Sequence, residues 1–448
     1  MLTRLYFLTY LLVFAICTNA QNYFNIPAPK DTAQFNKGLA RTAWLLSSST
    51  PQNKKEVRVL VYGQSISEQS WWKEVRNFFT EKYPHANINF INKAIGGFSS
   101  ERLKLMVDND VISFYPDLIL FHDYGNEPDY EKIIQTIRSR TTADVALQTD
   151  HMAQQGQEWH DQHSNVWIPS ISKNYGLAVI DVRGIWKEYL QQNKLQIGDL
   201  LTDGVHLNDH GNYLMAGIVK HYFNNLQTSA DFDSHMESFS PGLNFSRKKK
   251  KAEVSFMGNR LDVIWKPATD ETGVIEVIID NNKPSSFQHC YYHTRPSLDS
   301  TSFLKKMGHL LTVQLTQRSK QEQWQLLITS VDTVQQKICF SLRGSVTGED
   351  GSGCSDSLFT SRSGKIVIQP QFWFRRRSQG DYAQFRWVQP GETIQWQIRS
   401  MCIDQVKPQP SATTTLVQGL DNRTHVLRLK GKGVKDIQEI RVYQPPLR

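Results

Sequence analysis

The chain predicts a three-layer α/β/α sandwich built on a parallel five-stranded sheet, followed by a β-sandwich-type region. Three observations carry that expectation. Between Val57 and about Phe223, short continuous apolar runs alternate with segments of helical periodicity, the mark of strands covered on both faces. After about residue 228 the helical periodicity fades, and short strand-like runs recur between turn signals such as Asp280-Asn281-Asn282 and Pro390-Gly391. The charge divides in the same place: residues 1–244 hold 21 Lys+Arg against 25 Asp+Glu, and residues 245–448 hold 30 against 18. A length of 448 residues accommodates two or three domains. With 39% hydrophobic and 21% charged residues, the composition excludes wholesale disorder, collagen and coiled coil. Beyond residue 20, no apolar run approaches the roughly 20 residues that span a bilayer.

Residues 1–20, MLTRLYFLTYLLVFAICTNA, have one Arg, an apolar stretch and a small-residue end, the layout of a signal peptide cut near Ala20-Gln21. The expected location is therefore secreted or periplasmic. Cys17 fits lipid acylation poorly, since bulky Ile16 stands where a small residue is needed. The remaining Cys290, Cys339, Cys354 and Cys402 allow up to two disulfides, in three possible pairings. The first domain is expected over 21–230 with its core at 55–225. Its strands fall at Val57–Tyr62, Ile88–Ile91, Leu118–Phe121, Val145–Leu147 and Leu177–Ile180. Its helices fall at Trp71–Tyr83, Glu101–Asp108, Tyr130–Arg138, Ile185–Gln191 and His210–Asn224. Met152–Ile168, with Trp159, His160, Asp161 and His163, reads as a long polar connection that serves as a lid or as a surface excursion. Residues 231–251, with the run Arg247–Lys251, read as a solvated linker. The β-sandwich region, 252–448, carries strand-like runs from Glu253–Met257 to Ile437–Tyr443 and forms one subdomain or two.

Four blocks fall just past predicted strands or before the last helix, where α/β folds place their ligand sites. Gly63-Gln64-Ser65-Ile66-Ser67 puts a hydroxyl and its own N–H at a tight strand-to-helix turn. Asn92–Ser99 contains Gly96-Gly97, which lets backbone approach a ligand closely. His122-Asp123-Tyr124-Gly125-Asn126-Glu127 offers an Asn donor for a developing oxyanion. In Asp203-Gly204-Val205-His206, an Asp three residues before a His can orient the imidazole toward a serine.

These blocks, in this order, resemble the SGNH (GDSL-like) hydrolase family over roughly residues 55–225. The resemblance implies a flavodoxin-like sheet, Ser65 as nucleophile, His206 as base and Asp203 as its orienter. It implies an oxyanion hole of Ser65 N–H, Gly97 N–H (or that of adjacent Gly96) and the Asn126 side chain. The chain departs from the family pattern at Gln64, where Asp is usual, at Tyr124, where Gly is usual, and at Glu127, where Asp commonly follows the Asn. Those departures bear on the shape of the substrate pocket.

Gln64, Gly96, His122, Asp123, Glu127 and His151 are the candidate substrate contacts. No Cys/His spacing resembles a zinc signature, so neither metal nor other cofactor is expected. Trp71 and Trp72 read as packing, and Trp265, Phe372, Trp373, Phe374, Trp387 and Trp396 as strand core or as sugar platforms. Arg375-Arg376-Arg377 is a basic cluster suited to an acidic polysaccharide. The expected activity is a secreted serine esterase that removes acyl groups, foremost acetyl, from a carbohydrate or polysaccharide. The carbohydrate comes from the family's exported multidomain members. An exported chain is not expected to meet nucleic acid. Two alternatives remain: a glycoside hydrolase using carboxylates among Asp123, Glu127, Asp150 and Asp203, and a glycan-binding protein with a relic site.

Overall fold

The computed structural model describes residues 23–227, 235–242, 246–248, 250–268, 273–298, 309–374 and 388–447. The expected signal peptide, Arg375–Arg377 and Trp387 lie outside the described residues.

Five parallel strands, β1 (Glu56–Gly63), β2 (Asn87–Asn92), β3 (Leu118–His122), β4 (Asp144–Gln148) and β5 (Ala178–Ile180), form one sheet in the order β2-β1-β3-β4-β5. Successive side chains of a strand point to opposite faces, and here both faces are core. Val57, Val59 and Val61 enter one hydrophobic cluster, whereas Leu60 and Tyr62 enter the other. β3 divides likewise, with Leu118 and Leu120 on the first face and Ile119 and Phe121 on the second. That is why these strands read as uninterrupted apolar runs.

Helices α1 (Ala33–Gly38), α2 (Ala40–Ser47), α3 (Ser65–Glu68) and α4 (Trp71–Lys82) precede β2, and α5 (Ser100–Leu103) follows it. Next come α6 (Glu127–Arg140), α7 (Gln157–Gln162), α8 (Ile168–Tyr175), α9 (Val182–Gln192) and α10 (Asp209–Asn224). Trp71, Trp186, Met215 and Phe223 pack on the first face of the sheet, and Ile133, Ile137 and Ile171 on the second. The expected connection Met152–Ile168 is instead largely helical: α7, a π-helical turn His163–Trp167 and α8 follow one another without a break. The helix Glu101–Asp108 is shorter than its pattern, ending at Leu103, with a π-helical turn at Asp108–Ile112.

The remainder is β-structure with two separate hydrophobic clusters. β6 (Met236–Phe239), β7 (Ser246–Lys248), β8 (Lys251–Trp265) and β9 (Ile275–Ile279) begin it. Residues 231–251 are thus not simply a linker, because β6 pairs with the last strand and β7 with β8. β10 (Tyr291–His293), β11 (Ser297–Leu298), β12 (Gln314–Leu315), β13 (Glu322–Asp332), β14 (Lys337–Gly344) and β15 (Gly348–Cys354) follow. β16 (Phe359–Thr360), β17 (Ile366–Ile368), β18 (Thr393–Ser400), β19 (Gln405–Val406), β20 (Thr413–Gly431) and β21 (Ile437–Tyr443) complete the chain. One sheet runs β19-β9-β20-β8-β21-β6, and another β10-β18-β13-β14-β15. A small sheet, β12-β17-β16, shares the second sheet's core through Phe359, Ile366 and Ile368. Cys339 and Cys354, opposite one another on β14 and β15, form a disulfide, while Cys290 and Cys402 are free. Trp265, Trp373 and Trp396 are buried core residues rather than sugar platforms. Among the described residues, no helix is long and apolar enough to cross a membrane.

The β-region docks on the α/β domain through Leu311 and Phe374, which join the second face's hydrophobic cluster, and through polar contacts. Tyr115 donates to Asn259 Oδ1 at 2.8 Å, and Gln418 Nε2 donates to the Ile112 carbonyl at 2.9 Å. Arg295 grips Asp110, and Arg260 lies over the rings of both Tyr115 and Tyr443.

Candidate active site

β1 ends at Gly63, whose φ of 138° and approach to the His122 carbonyl admit only glycine; a Cβ there would lie 1.8 Å from that oxygen. The chain then turns at once into α3, so Ser65 sits at the C-terminal edge of the sheet. His206 lies in the short connection before α10, closed by Thr202 N–H donating to the His206 carbonyl at 2.8 Å. Gln69 ties the two segments together. Its Oε1 accepts Leu207 N–H and its Nε2 donates to the Leu207 carbonyl, both at 2.9 Å. Behind this connection, His151 Nε2 donates to the Val205 carbonyl at 2.7 Å. Burial, foremost, drives the His151 imidazole down to about 3, so it braces the loop as a neutral ring.

The result is a continuous chain of contacts. Ser65 Oγ lies 3.0 Å from His206 Nε2, and His206 Nδ1 lies 2.8 Å from Asp203 Oδ2. Asp203 Oδ1 also accepts the N–H groups of Val205 and His206, each at 2.7 Å. The His206 N–H bond leads the effects that bring the Asp203 carboxyl down to about 2, so it is a carboxylate at any ordinary pH. The pair is open to solvent, with side-chain exposures of 43% for His206 and 57% for Asp203.

The glycine loop is fastened to α3. Asn92 Nδ2 donates to the Ser67 carbonyl at 2.7 Å, and Gly96 N–H donates to Glu68 Oε2 at 2.8 Å. Gly96 N–H is therefore already taken. Among the described residues, the N–H groups of Ser65 and Gly97 make no hydrogen bond. Gly97 is exposed and has a φ of 74°. Asn126 departs from expectation, because its amide is engaged at the start of α6. Its Oδ1 accepts Asp129 N–H and its Nδ2 donates to Asp129 Oδ2, each at 2.9 Å.

The expected substrate contacts divide by depth. Gln64, His122, Asp123 and His151 are each at most 3% exposed, so they stand behind the nucleophile instead of lining an open groove. Gly96 is half-buried, and Glu127 lies on the surface beside Asn126. Asp150 is wholly buried, with His122, His160 and His163 gathered around its carboxylate, and Asp123 is buried as well. Neither can reach a glycosidic oxygen from that depth. Burial holds the Asp123 carboxyl well above its usual range. The three imidazoles around Asp150 face a carboxylate rather than an open coordination position. Gln69, Glu68, Asn92 and Arg295 also support the site; none stands out in sequence, since each acts through a partner supplied by the fold.

No family model matches the chain, and no curated protein does. Solved structures do. One is a two-domain esterase active on acetylated mannans, co-crystallised with mannopentaose; identity is 12% over 88% of this chain and 92% of that one, with a TM-score of 0.34. Another is an acetylxylan esterase from Geobacillus stearothermophilus, at 18% identity over 39% of this chain and 97% of that one, with a TM-score of 0.34. A third is an alpha/beta hydrolase from the metagenome of Lake Arreo, Spain, at 16% identity over 38% and 97%, with a TM-score of 0.34. Likenesses of this order decide nothing about the chemistry, which has to be read from the side chains.

Proposed function

We propose that this protein is a serine ester hydrolase that removes acyl groups, foremost acetyl, from a carbohydrate. The observation that carries the reading is the unbroken run Ser65 Oγ, His206 Nε2, His206 Nδ1, Asp203 Oδ2, at 3.0 and 2.8 Å. His206 takes the Ser65 proton as Oγ attacks the ester carbonyl. Asp203 holds the Nδ1–H tautomer and steadies the imidazolium. His206 then protonates the departing sugar oxygen, which leaves as a hydroxyl, and water releases the acyl group from Ser65 in a second, mirrored step. The free N–H groups of Ser65 and Gly97 are the resting donors for the oxyanion, and Asn126 joins them once its Nδ2 leaves Asp129. An exposed triad suits a bulky hydrophilic substrate better than a long acyl chain, which would require an apolar tunnel. The carbohydrate part also rests on the motif resemblance, and the β-region would assist in placing a polymer.

The test compares wild type and Ser65→Ala on small acetyl esters and on acetylated polysaccharides, following acetate and free sugar separately. Acetate release by wild type and none by the variant is expected, with an organophosphonate label mapping to the Ser65 peptide. Label on another residue, or ester turnover that survives in Ser65→Ala, refutes the assignment. Sugar release without acetate would favour the glycosidase alternative.

A further inference from the structure

Gln64, beside the nucleophile, is held at both ends of its carboxamide. Oε1 accepts Ile66 N–H at 3.2 Å and lies 2.7 Å from Ser65 Oγ. Nε2 lies 3.1 Å from His122 Nδ1. An amide nitrogen only donates, so His122 Nδ1 accepts and the ring proton sits on Nε2. That nitrogen is 3.2 Å from Asp150 Oδ1, in a contact bent away from good hydrogen-bond geometry. The other carboxylate oxygen takes His160 Nδ1 at 2.8 Å and His163 Nδ1 at 3.2 Å. Turning the amide end for end would set its N–H against Ile66 N–H, so its orientation is fixed from two sides.

The Ser65 hydroxyl thus has one proton and two acceptors in reach, Gln64 Oε1 at 2.7 Å and His206 Nε2 at 3.0 Å. We infer that Gln64 is a further catalytic residue, whose Oε1 holds the Ser65 hydroxyl in the rotamer from which its proton passes to His206. His122 and Asp150 are positioning residues that act through it. The proton swings between the two acceptors about the Cβ–Oγ bond while the oxygen stays in place. When it moves to His206 Nε2, an Oγ electron pair forms the bond to the acyl carbon, and no side chain has to rotate first. This inference rests on the esterase reading.

The test uses the full chain and p-nitrophenyl acetate, with kcat and KM measured separately and Ser65 phosphonylation followed as a second rate. Gln64→Met keeps the length and loses the acceptor. Both rates should fall about tenfold with KM unchanged, the worth of one neutral hydrogen bond. His122→Asn puts an amide oxygen near the position of Nδ1 and should stay within about threefold of wild type, whereas His122→Phe should fall about as far as Gln64→Met. A purely structural role would lower the melting temperature of both His122 variants without separating their rates. Gln64→Met at wild-type kcat, or two equally slow His122 variants, overturns the inference; should Gln64→Met not fold, the His122 pair decides. An active Ser65→Ala would instead overturn the esterase reading, and this inference with it.

Discussion

Arg295 is where the β-region reaches toward the candidate site, and its removal should be felt in both stability and turnover. Its Nε donates to Asp110 at 2.8 and 3.0 Å, and one terminal nitrogen donates to Asp110 Oδ2 at 2.8 Å and to the Lys93 carbonyl at 2.5 Å. Lys93 begins the loop that carries Gly96 and Gly97. The Asp110 side chain is 3% exposed and that of Arg295 33%. Arg295→Met keeps most of the stem and strands a carboxylate under the surface. Breaking a fully buried pair costs about 3–5 kcal/mol; screening at the exposed third of Arg295 reduces the expectation to about 2 kcal/mol. For a unit of roughly 200 residues, that lowers the melting temperature by about 4–8 °C.

Differential scanning calorimetry on wild type, Arg295→Met and Asp110→Asn/Arg295→Met measures it. The double variant removes the stranded charge and should regain about half of the loss, because an unpaired buried charge costs more than the absence of both partners. With its brace gone, the glycine loop should also lower kcat by about threefold to tenfold, the worth of one hydrogen bond. Arg295→Met melting within 1 °C of wild type, or a double variant less stable than the single one, would refute the reasoning.

Three further outcomes are expected. Asp203→Asn keeps an acceptor for the Val205 and His206 N–H groups but presents an amide N–H to His206 Nδ1, so kcat should fall by about 10⁴ as in the serine-protease template, with little change in urea unfolding. Asn126→Ser retains a helix-capping oxygen for Asp129 N–H but loses the oxyanion donor, so kcat should fall by about 10²–10³ at unchanged stability; unchanged kcat would leave Asn126 as a cap alone. Burial, chiefly, pushes the Asp144 carboxyl up to about 6, above the unfolded value of about 3.9. The native state therefore holds that proton more tightly, and this group's contribution to stability rises as pH falls through 6 toward 4. Between pH 7 and 5, urea unfolding should show wild type gaining about 1 kcal/mol on Asp144→Asn, which cannot titrate there; a constant gap would contradict the assignment.

The parts of the fold legible in sequence are those that burial writes directly. The run Val57–Tyr62 became Glu56–Gly63 because both of its faces enter core, and the helix expected at His210–Asn224 became Asp209–Asn224. Legibility failed where polar groups occupy the interior. The helical stretch from Gln157 to Tyr175 turns His163, Ser164 and Ser172 inward, so its composition resembles a loop. β8 reads as two runs, Glu253–Met257 and Arg260–Trp265, and only His425–Leu429 of β20 reads as strand, because their pairing slips by several residues between Gln418 and Arg423, opposite Gly258 and Arg260. The candidate triad was legible because Ser65 and His206 each stand in a short motif. Their supports were not. Gln69 meets Leu207 across 138 positions, and Arg295 meets Asp110 across 185, and nothing local marks either residue.

The supports share a chemistry that explains how so exposed a site can hold its shape. Surface side chains ordinarily exchange among rotamers, yet His206 must stay within hydrogen-bond reach of Ser65, and Asp203 of His206, while both face water. Their order comes from carboxamides set behind them: Gln69 paired with the Leu207 backbone, Asn92 with Ser67 and Ala94, and Gln64 with Ile66 and His122. An amide offers a donor and an acceptor at once and does not titrate, so these clamps keep the same polarity across pH. A carboxylate in place of Gln64 would bring charge to within 2.7 Å of the nucleophile's oxygen, opposing the negative charge that Oγ gains as its proton leaves. The departure from the usual Asp at that position therefore maintains the acceptor without adding a charge against the attack.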